Sequence, residues 1–173
     1  MTLATKLAAE MTAVKCELAK DVLRSSGYLN LRVTGWSMLP TIWPGDTLVI
    51  GRVCGDDVSE GDIVLFVRNN KLVAHRVISK GDAPAGPEIL TRGDAVSRPD
   101  SPLSSRDLLG RVCFILRSGR RIEPRKVMRA SERAVANLLQ HSKTGARLVA
   151  GVYDRFRTSA HQNSSDRTVP CQS

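Results

Sequence analysis

A chain of 173 residues with 42% hydrophobic and 25% charged side chains is globular rather than disordered in composition, and its length favours one domain with appendages. Its formal net charge of +9 is unevenly spread, with +1 over residues 1–116 and +8 over residues 117–158. That distribution excludes a chain-wide nucleic-acid-binding face and points to a basic C-terminal appendage.

Residues 2–25 read as an amphipathic helix. Leu3, Leu7, Met11, Val14, Leu18 and Val22 recur at spacings of three and four, which places them on one stripe of a helix with 3.6 residues per turn. The stripe is expected to pack on the body of the domain, with dimerisation or a membrane surface as the alternatives. Gly27 after Ser25-Ser26 is a natural stop. The first ten residues lack a continuous apolar core, so no secretory signal is expected. The longest aliphatic or aromatic run is the five residues Ile63 to Val67, far short of the about 20 needed to cross a bilayer.

From Tyr28 to about Arg117 the pattern changes to short strands. Leu29, Leu31 and Val33 alternate with polar residues, and Thr47–Val53, Asp62–Arg68, Leu72–Ser79, Glu88–Arg92 and Leu109–Arg117 are rich in Val, Ile or Leu. Pro44-Gly45-Asp46, Gly61-Asp62, Asn69-Asn70, Gly81-Asp82 and Gly93-Asp94 separate them as turns. Asn69-Asn70 suits a two-residue hairpin, because Asn tolerates positive φ. The expectation is a mainly β, mostly antiparallel domain. After Arg121 the helical pattern returns: Val127, Met128, Val135, Leu138 and Leu139 suggest one helix, and Leu148, Val149, Val152, Tyr153 and Phe156 one face of a second. The organisation read from this pattern is a helix over 1–27, a core over 28–117, a basic helical extension over 118–158 and a polar, disordered tail over 159–173.

Four cysteines, Cys16, Cys54, Cys113 and Cys171, lie far apart and none forms a C-x-x-C pair, so no zinc or redox site is expected. Cys54 and Cys113 read as small core residues of a reduced, cytoplasmic protein. No cofactor or metal is expected.

Nucleophilic chemistry needs a hydroxyl or thiol, a base, a group that orients the base, and donors for an oxyanion. The candidate nucleophile is Ser37, within Gly35-Trp36-Ser37-Met38-Leu39-Pro40-Thr41. Gly35 would permit a tight bend before it, and Pro40 would hold the loop off the sheet. Gly35, Trp36, Met38 and Pro40 are the expected substrate and oxyanion-loop positions. The candidate base is His75, which alternation places with Val73 and Val77 on one strand face. His141 and His161 lack an orienting context and read as solvated. The candidate orienters are Asp94 and Asp100; a carboxylate on the second imidazole N–H selects the tautomer that can take a serine proton. The sequence leaves open which of the two does so.

The order of these pieces resembles the type I signal peptidases of the LexA/signal peptidase superfamily. Gly35 to Thr41 followed by Pro44-Gly45-Asp46 is similar to their nucleophile box. Gly61-Asp62-Ile63-Val64 with His75-Arg76-Val77-Ile78 is similar to the second box. A histidine rather than a lysine at that place matches the endoplasmic-reticulum, archaeal and sporulating-bacterial branch. Thr91-Arg92-Gly93-Asp94-Ala95, with Asp100 beyond it, is similar to the third box, and Leu109-Gly110-Arg111-Val112 to the closing strand. The resemblance covers about residues 30–116. It implies a LexA-like β core and a serine endopeptidase that holds its substrate extended beside a strand and cuts after a small residue. In this chain it implies Ser37 as nucleophile, His75 as base, Asp94 or Asp100 as orienter and the Ser37 N–H as oxyanion donor, with Arg76 and Arg92 paired to acidic neighbours. The chain departs from the family where an amphipathic helix stands in place of a transmembrane anchor, where Ala95-Val96 replace the usual Asn, and in its basic C-terminal extension.

Two other readings compete. A LexA-type self-cleaving regulator would need a DNA-binding domain ahead of the core, and only about 30 residues precede the first strand. A non-catalytic module would use the basic helices to hold an anionic membrane or nucleic acid; of these partners nucleic acid is the weaker expectation. Peripheral membrane contact is compatible with catalysis on a peptide substrate.

Overall fold

The computed structural model describes residues 3–53, 57–83 and 86–141. The chain divides into two units, Met1–Ala136 and Asn137–Ser173. The first is mainly β, an antiparallel sheet with a helix at each end, as the patterning predicts. Of the second, only the end of a helix is described. The predicted helix over 148–156, the tail, Cys54, Cys171 and His161 lie outside the described residues.

Helix α1 spans Leu3–Ser26. It ends where Gly27 takes φ +77°, a conformation that costs glycine least. Its packing differs from the sequence expectation. Cys16, Ala19 and Leu23 are buried at 3, 5 and 2% exposure, whereas Met11, Val14 and Leu18 of the predicted stripe stand at 55, 66 and 61%. Both sets follow spacings of three and four, so periodicity alone cannot choose between the two faces. The smaller side chains win because Cys16 and Ala19 let the helix approach the sheet closely, and the Cys16 thiol donates to the Asn70 carbonyl at 3.3 Å. Burial pushes that thiol's pKa up. Cys113, expected in the core, is only half-buried.

The strands are β1 Tyr28–Arg32, β2 Thr47–Gly51, β3 Ile63–Arg68, β4 Lys71–Ala83, β5 Gly86–Arg92, β6 Leu103–Ser104, β7 Leu108–Arg117 and β8 Arg120–Ile122. They form one sheet of order β1-β2-β7-β3-β4-β5-β6, with β8 beside β7. Asn69 and Asn70 take φ of 50° and 58° between β3 and β4, the two-residue hairpin that their residue type favours. Strand β3 shows why the sheet has two apolar faces. Ile63 and Leu65 join a cluster with Leu23, Met38, Ile42, Leu48, Ile50, Val112 and Ile115. Val64 and Phe66 join one with Val58, Val77, Ile89, Leu103 and Leu108. Alternation along a strand sends successive side chains to opposite faces, so a continuous apolar run serves both.

Three features depart from the pattern. Strand β6 is two residues long, too short for an alternation signal; a 3-10 turn over Ser105–Asp107 follows it, capped by reciprocal bonds between Ser104 and Asp107. Strand β8 lies where the basic helical extension was expected. Ser118 and Gly119 at φ 49° and 76° turn the chain straight back on β7, and the Ser-Gly pair is the signal that could have marked it. Helix α2 spans Ala130–His141 and so begins after Val127 and Met128. The stretch ahead of it is drawn out because the Arg76 guanidinium takes the carbonyls of Arg125 and Lys126 at 2.6 and 3.4 Å, which competes with helical bonding there. No described helix is long and apolar enough to cross a membrane.

The reversed face of α1 has a direct test. Leu23→Ala should cost about 2–4 kcal/mol in urea unfolding, the range for truncating a buried leucine, while Leu18→Ala should stay within about 0.5 kcal/mol. Equal effects would contradict the packing.

Candidate active site

The loop between β1 and β2 carries Ser37, and its ends are tied. Val33 N–H donates to the Asp46 carbonyl and Gly45 N–H to the Val33 carbonyl, both at 2.8 Å. The buried Asp46 carboxylate accepts Trp43 N–H at 2.8 Å and the Arg117 guanidinium at 2.7 Å. The indole N–H of Trp43 in turn donates to the Pro40 carbonyl at 2.8 Å. Met38, Leu39 and Ile42 are buried and anchor the loop from below. Among the described residues no group accepts the Ser37 N–H.

The four loop positions singled out in the sequence fall in different places. Trp36 is 40% exposed beside the serine, whereas Met38 is 4% exposed in the core, so its side chain cannot line a substrate surface. Pro40 is half-buried. Gly35 has no positive φ and a Cβ there would meet nothing within 4 Å, so the expected glycine-dependent bend is not what shapes this loop. The steric demand lies at Gly93 instead. A Cβ on Gly93 would fall 2.6 Å from the Ser37 carbonyl oxygen and 3.1 Å from His75 Nε2, below normal contact.

His75 comes from β4, on the face that Val73 and Val77 share. Its Nε2 lies 2.9 Å from Ser37 Oγ and its Nδ1 2.6 Å from Asp100 Oδ2. With the carboxylate accepting the Nδ1 proton, Nε2 is left as the acceptor for the serine hydroxyl. The same Asp100 oxygen accepts the Thr91 hydroxyl at 2.7 Å, and Asp100 N–H donates to the Thr91 carbonyl at 2.8 Å. Arg68 reaches the other carboxylate oxygen at 3.3 Å.

Asp94 is not brought to His75. Its carboxylate, 4% exposed as a residue, takes Arg76 Nε and Nη2 at 2.8 Å each and the Thr41 hydroxyl at 2.5 Å. This bidentate pair binds the serine loop to β4 from the other face, and Ala95 N–H adds a bond to the Ser37 carbonyl at 2.8 Å. Arg76 thus has the acidic partner that the sequence expects of it, and Arg92 has none among the described residues. The sequence assigns no role to Arg68, and none to Thr41 or Thr91 beyond the motifs that contain them. Arg68 had a signal: it stands two positions after Phe66, so alternation puts both on the face that His75 occupies. Among the described residues no cluster of His, Cys, Asp and Glu could hold a metal.

The antiparallel sheet with a helix before it and a helix after it has the architecture of a LexA-like β core. The Peptidase S24-like family model matches residues 4–85, just under half of the chain, a stretch that includes Ser37 and His75 and ends before Asp94 and Asp100. The chain is similar to that family over this stretch, which supports a place in the LexA/signal peptidase superfamily and a peptidase-type fold. No curated protein matches the chain.

The buried pair is predicted to be a structural clamp. Arg76→Met should cost about 3–5 kcal/mol, because it strands a buried carboxylate. Adding Asp94→Asn should recover a large part of that loss in the same denaturation measurement. A double variant no more stable than the single one would remove the clamp from the account.

Proposed function

We propose that this protein is a serine-type endopeptidase of signal-peptidase-like kind that cleaves a peptide or leader after a small residue. The observation that carries the reading is the connected set Ser37 Oγ, His75 Nε2, His75 Nδ1 and Asp100 Oδ2, with contacts of 2.9 and 2.6 Å. Ser37 Oγ attacks the scissile carbonyl carbon while its proton passes to His75 Nε2. The tetrahedral intermediate collapses, the C–N bond breaks, and the leaving amine takes that proton. Water then hydrolyses the acyl-enzyme by the same route, with His75 accepting the water proton and returning it to Ser37. Asp100 holds the imidazole in the working tautomer and offsets the charge it gains. The unclaimed Ser37 N–H is the oxyanion donor on this reading, and Asp94 supports the site without touching the reacting atoms. The family similarity over residues 4–85 supports the class, and the sequence resemblance supports the preference for small residues.

The test is hydrolysis of a peptide library with small residues ahead of the scissile bond. Ser37→Ala should abolish turnover, and Asp100→Asn should lower kcat by about 100-fold or more, as expected when the base loses its orienting carboxylate. Turnover that survives Ser37→Ala would defeat the proposal. Because a protonated imidazole cannot take the serine proton, activity should also fall as the solution is acidified; a flat response down to about pH 4 would exclude His75 as base.

A further inference from the structure

Arg68 closes a circuit around the histidine that the peptidase reading does not need but that the geometry supplies. It is the last residue of β3 and a quarter exposed in its side chain, against 18% for Asp100. One guanidinium nitrogen, Nη1, lies 3.3 Å from Asp100 Oδ1, and the other, Nη2, donates to the Ser101 carbonyl at 2.5 Å. The guanidinium carbon stands 5.3 Å from the centre of the Phe66 ring, within cation–π range. That same ring meets the His75 imidazole edge-on, with centroids 6.1 Å apart at 73°. Arg68 therefore touches Asp100, the residue after it, and the aromatic wall behind the imidazole.

We propose that Arg68 is a positioning residue that sets the rotamer of Asp100 and, through its charge, holds His75 ready as a neutral base. This rests on the peptidase reading for its catalytic meaning, though not for its electrostatic one. A carboxylate has two oxygens, and only one faces Nδ1. By claiming Oδ1, Arg68 leaves Oδ2 to the imidazole and to the Thr91 hydroxyl. The second effect is one of sign. An unopposed Asp100 anion against Nδ1 favours the imidazolium form; a cation on the far oxygen weakens that pull and itself repels the imidazolium. Both actions keep Nε2 free to accept a proton in more acidic solution. The other groups around the ring do not supply this effect. Ser37 and Thr91 are neutral, Phe66 is apolar, and Asp94 is matched by Arg76 on the other face of β4.

The test separates the two claims. The imidazole titration of His75 is followed by NMR in the wild-type chain, Arg68→Gln, Arg68→Lys and Asp100→Asn; His75→Gln assigns the signal among the three histidines. Arg68→Gln should raise the titration midpoint by about half a unit to one unit. Arg68→Lys, which keeps the charge, should hold it near the wild-type value. In an Asp100→Asn background the effect of Arg68→Gln should shrink by at least half, because part of it acts through the carboxylate. A midpoint unmoved by Arg68→Gln overturns the proposal, whether or not the protein is an active peptidase. Should Arg68→Gln alone fail to fold, comparing Asp100→Asn with Arg68→Gln/Asp100→Asn decides the direct part: no shift between them overturns the proposal.

A fluorophosphonate, from whose phosphorus Ser37 Oγ displaces fluoride as its proton passes to His75, reports the catalytic consequence. The acid limb of the labelling rate should move to higher pH in Arg68→Gln by the same interval as the NMR midpoint. No labelling of the wild-type chain, with the NMR shift present, would count against the peptidase reading alone.

Discussion

The guanidinium of Arg76 is the contact on which the rest of the site depends. It is buried, and its donors are used in three directions: to the Asp94 carboxylate, to the Thr41 hydroxyl, and to the carbonyls of Gly61, Arg125 and Lys126. Thr41 belongs to the loop that carries Ser37, and Asp94 to the loop after β5 that bonds to it through Ala95 N–H. Gly61 precedes β3, and residues 125 and 126 lead into α2. One cation thus joins the serine loop, the loop after β5, the sheet and the approach to the second helix. A buried ion pair is weak evidence of net stability, because desolvation offsets much of the Coulomb gain. Its effect here is geometric. The planar fork of an arginine fits a carboxylate in one orientation, and that orientation decides where the serine loop lies against β4.

His75 and Arg76 are neighbours on β4, and alternation sends them to opposite sides. The consequence is a division between two acidic residues only six positions apart. Asp94 follows Gly93 directly at the end of β5 and turns under the serine loop toward Arg76. The chain then makes an excursion and returns, with Asp100 N–H bonded to the Thr91 carbonyl, so that Asp100 comes up on the side of His75. Gly93 is the pivot. It passes between the Ser37 carbonyl and the imidazole at distances that leave no room for a side chain.

Much of this was legible beforehand. The strands were visible because their apolar residues alternate or run continuously between Gly, Asn and Asp turns, and the serine and histidine boxes were visible as wording in a fixed order. What escaped the sequence has physical causes. Two apolar faces of α1 share one periodicity, and the choice between them depends on how closely the backbone can approach the sheet, which a pattern of hydrophobicity does not encode. Strand β8 and the late start of α2 are both tertiary effects. One is imposed by a tight turn onto β7 and the other by a buried arginine that takes carbonyls a helix would use. The two aspartates were indistinguishable because their difference is not one of residue type or spacing but of where the return of the 93–100 loop bonds to β5.

That difference bears on how the proposed chemistry could work in so small a domain. A serine peptidase of this design needs one carboxylate free to support a transient imidazolium and cannot spend that same carboxylate on holding the loops together. Asp94 is fully engaged by Arg76 and Thr41, so its charge is balanced in the resting protein and has little left to offer a histidine. Asp100 is held more lightly, by a hydroxyl, a backbone amide and a single nitrogen of a partly exposed arginine at 3.3 Å. The first arrangement suits a clamp, since any proton transfer there would break it. The second suits a group whose partner changes charge in each cycle, because its restraints fix direction while leaving its charge incompletely matched. Exchanging the two partners would put the strong pair against the base and the weak one under the loop, and neither requirement would be met.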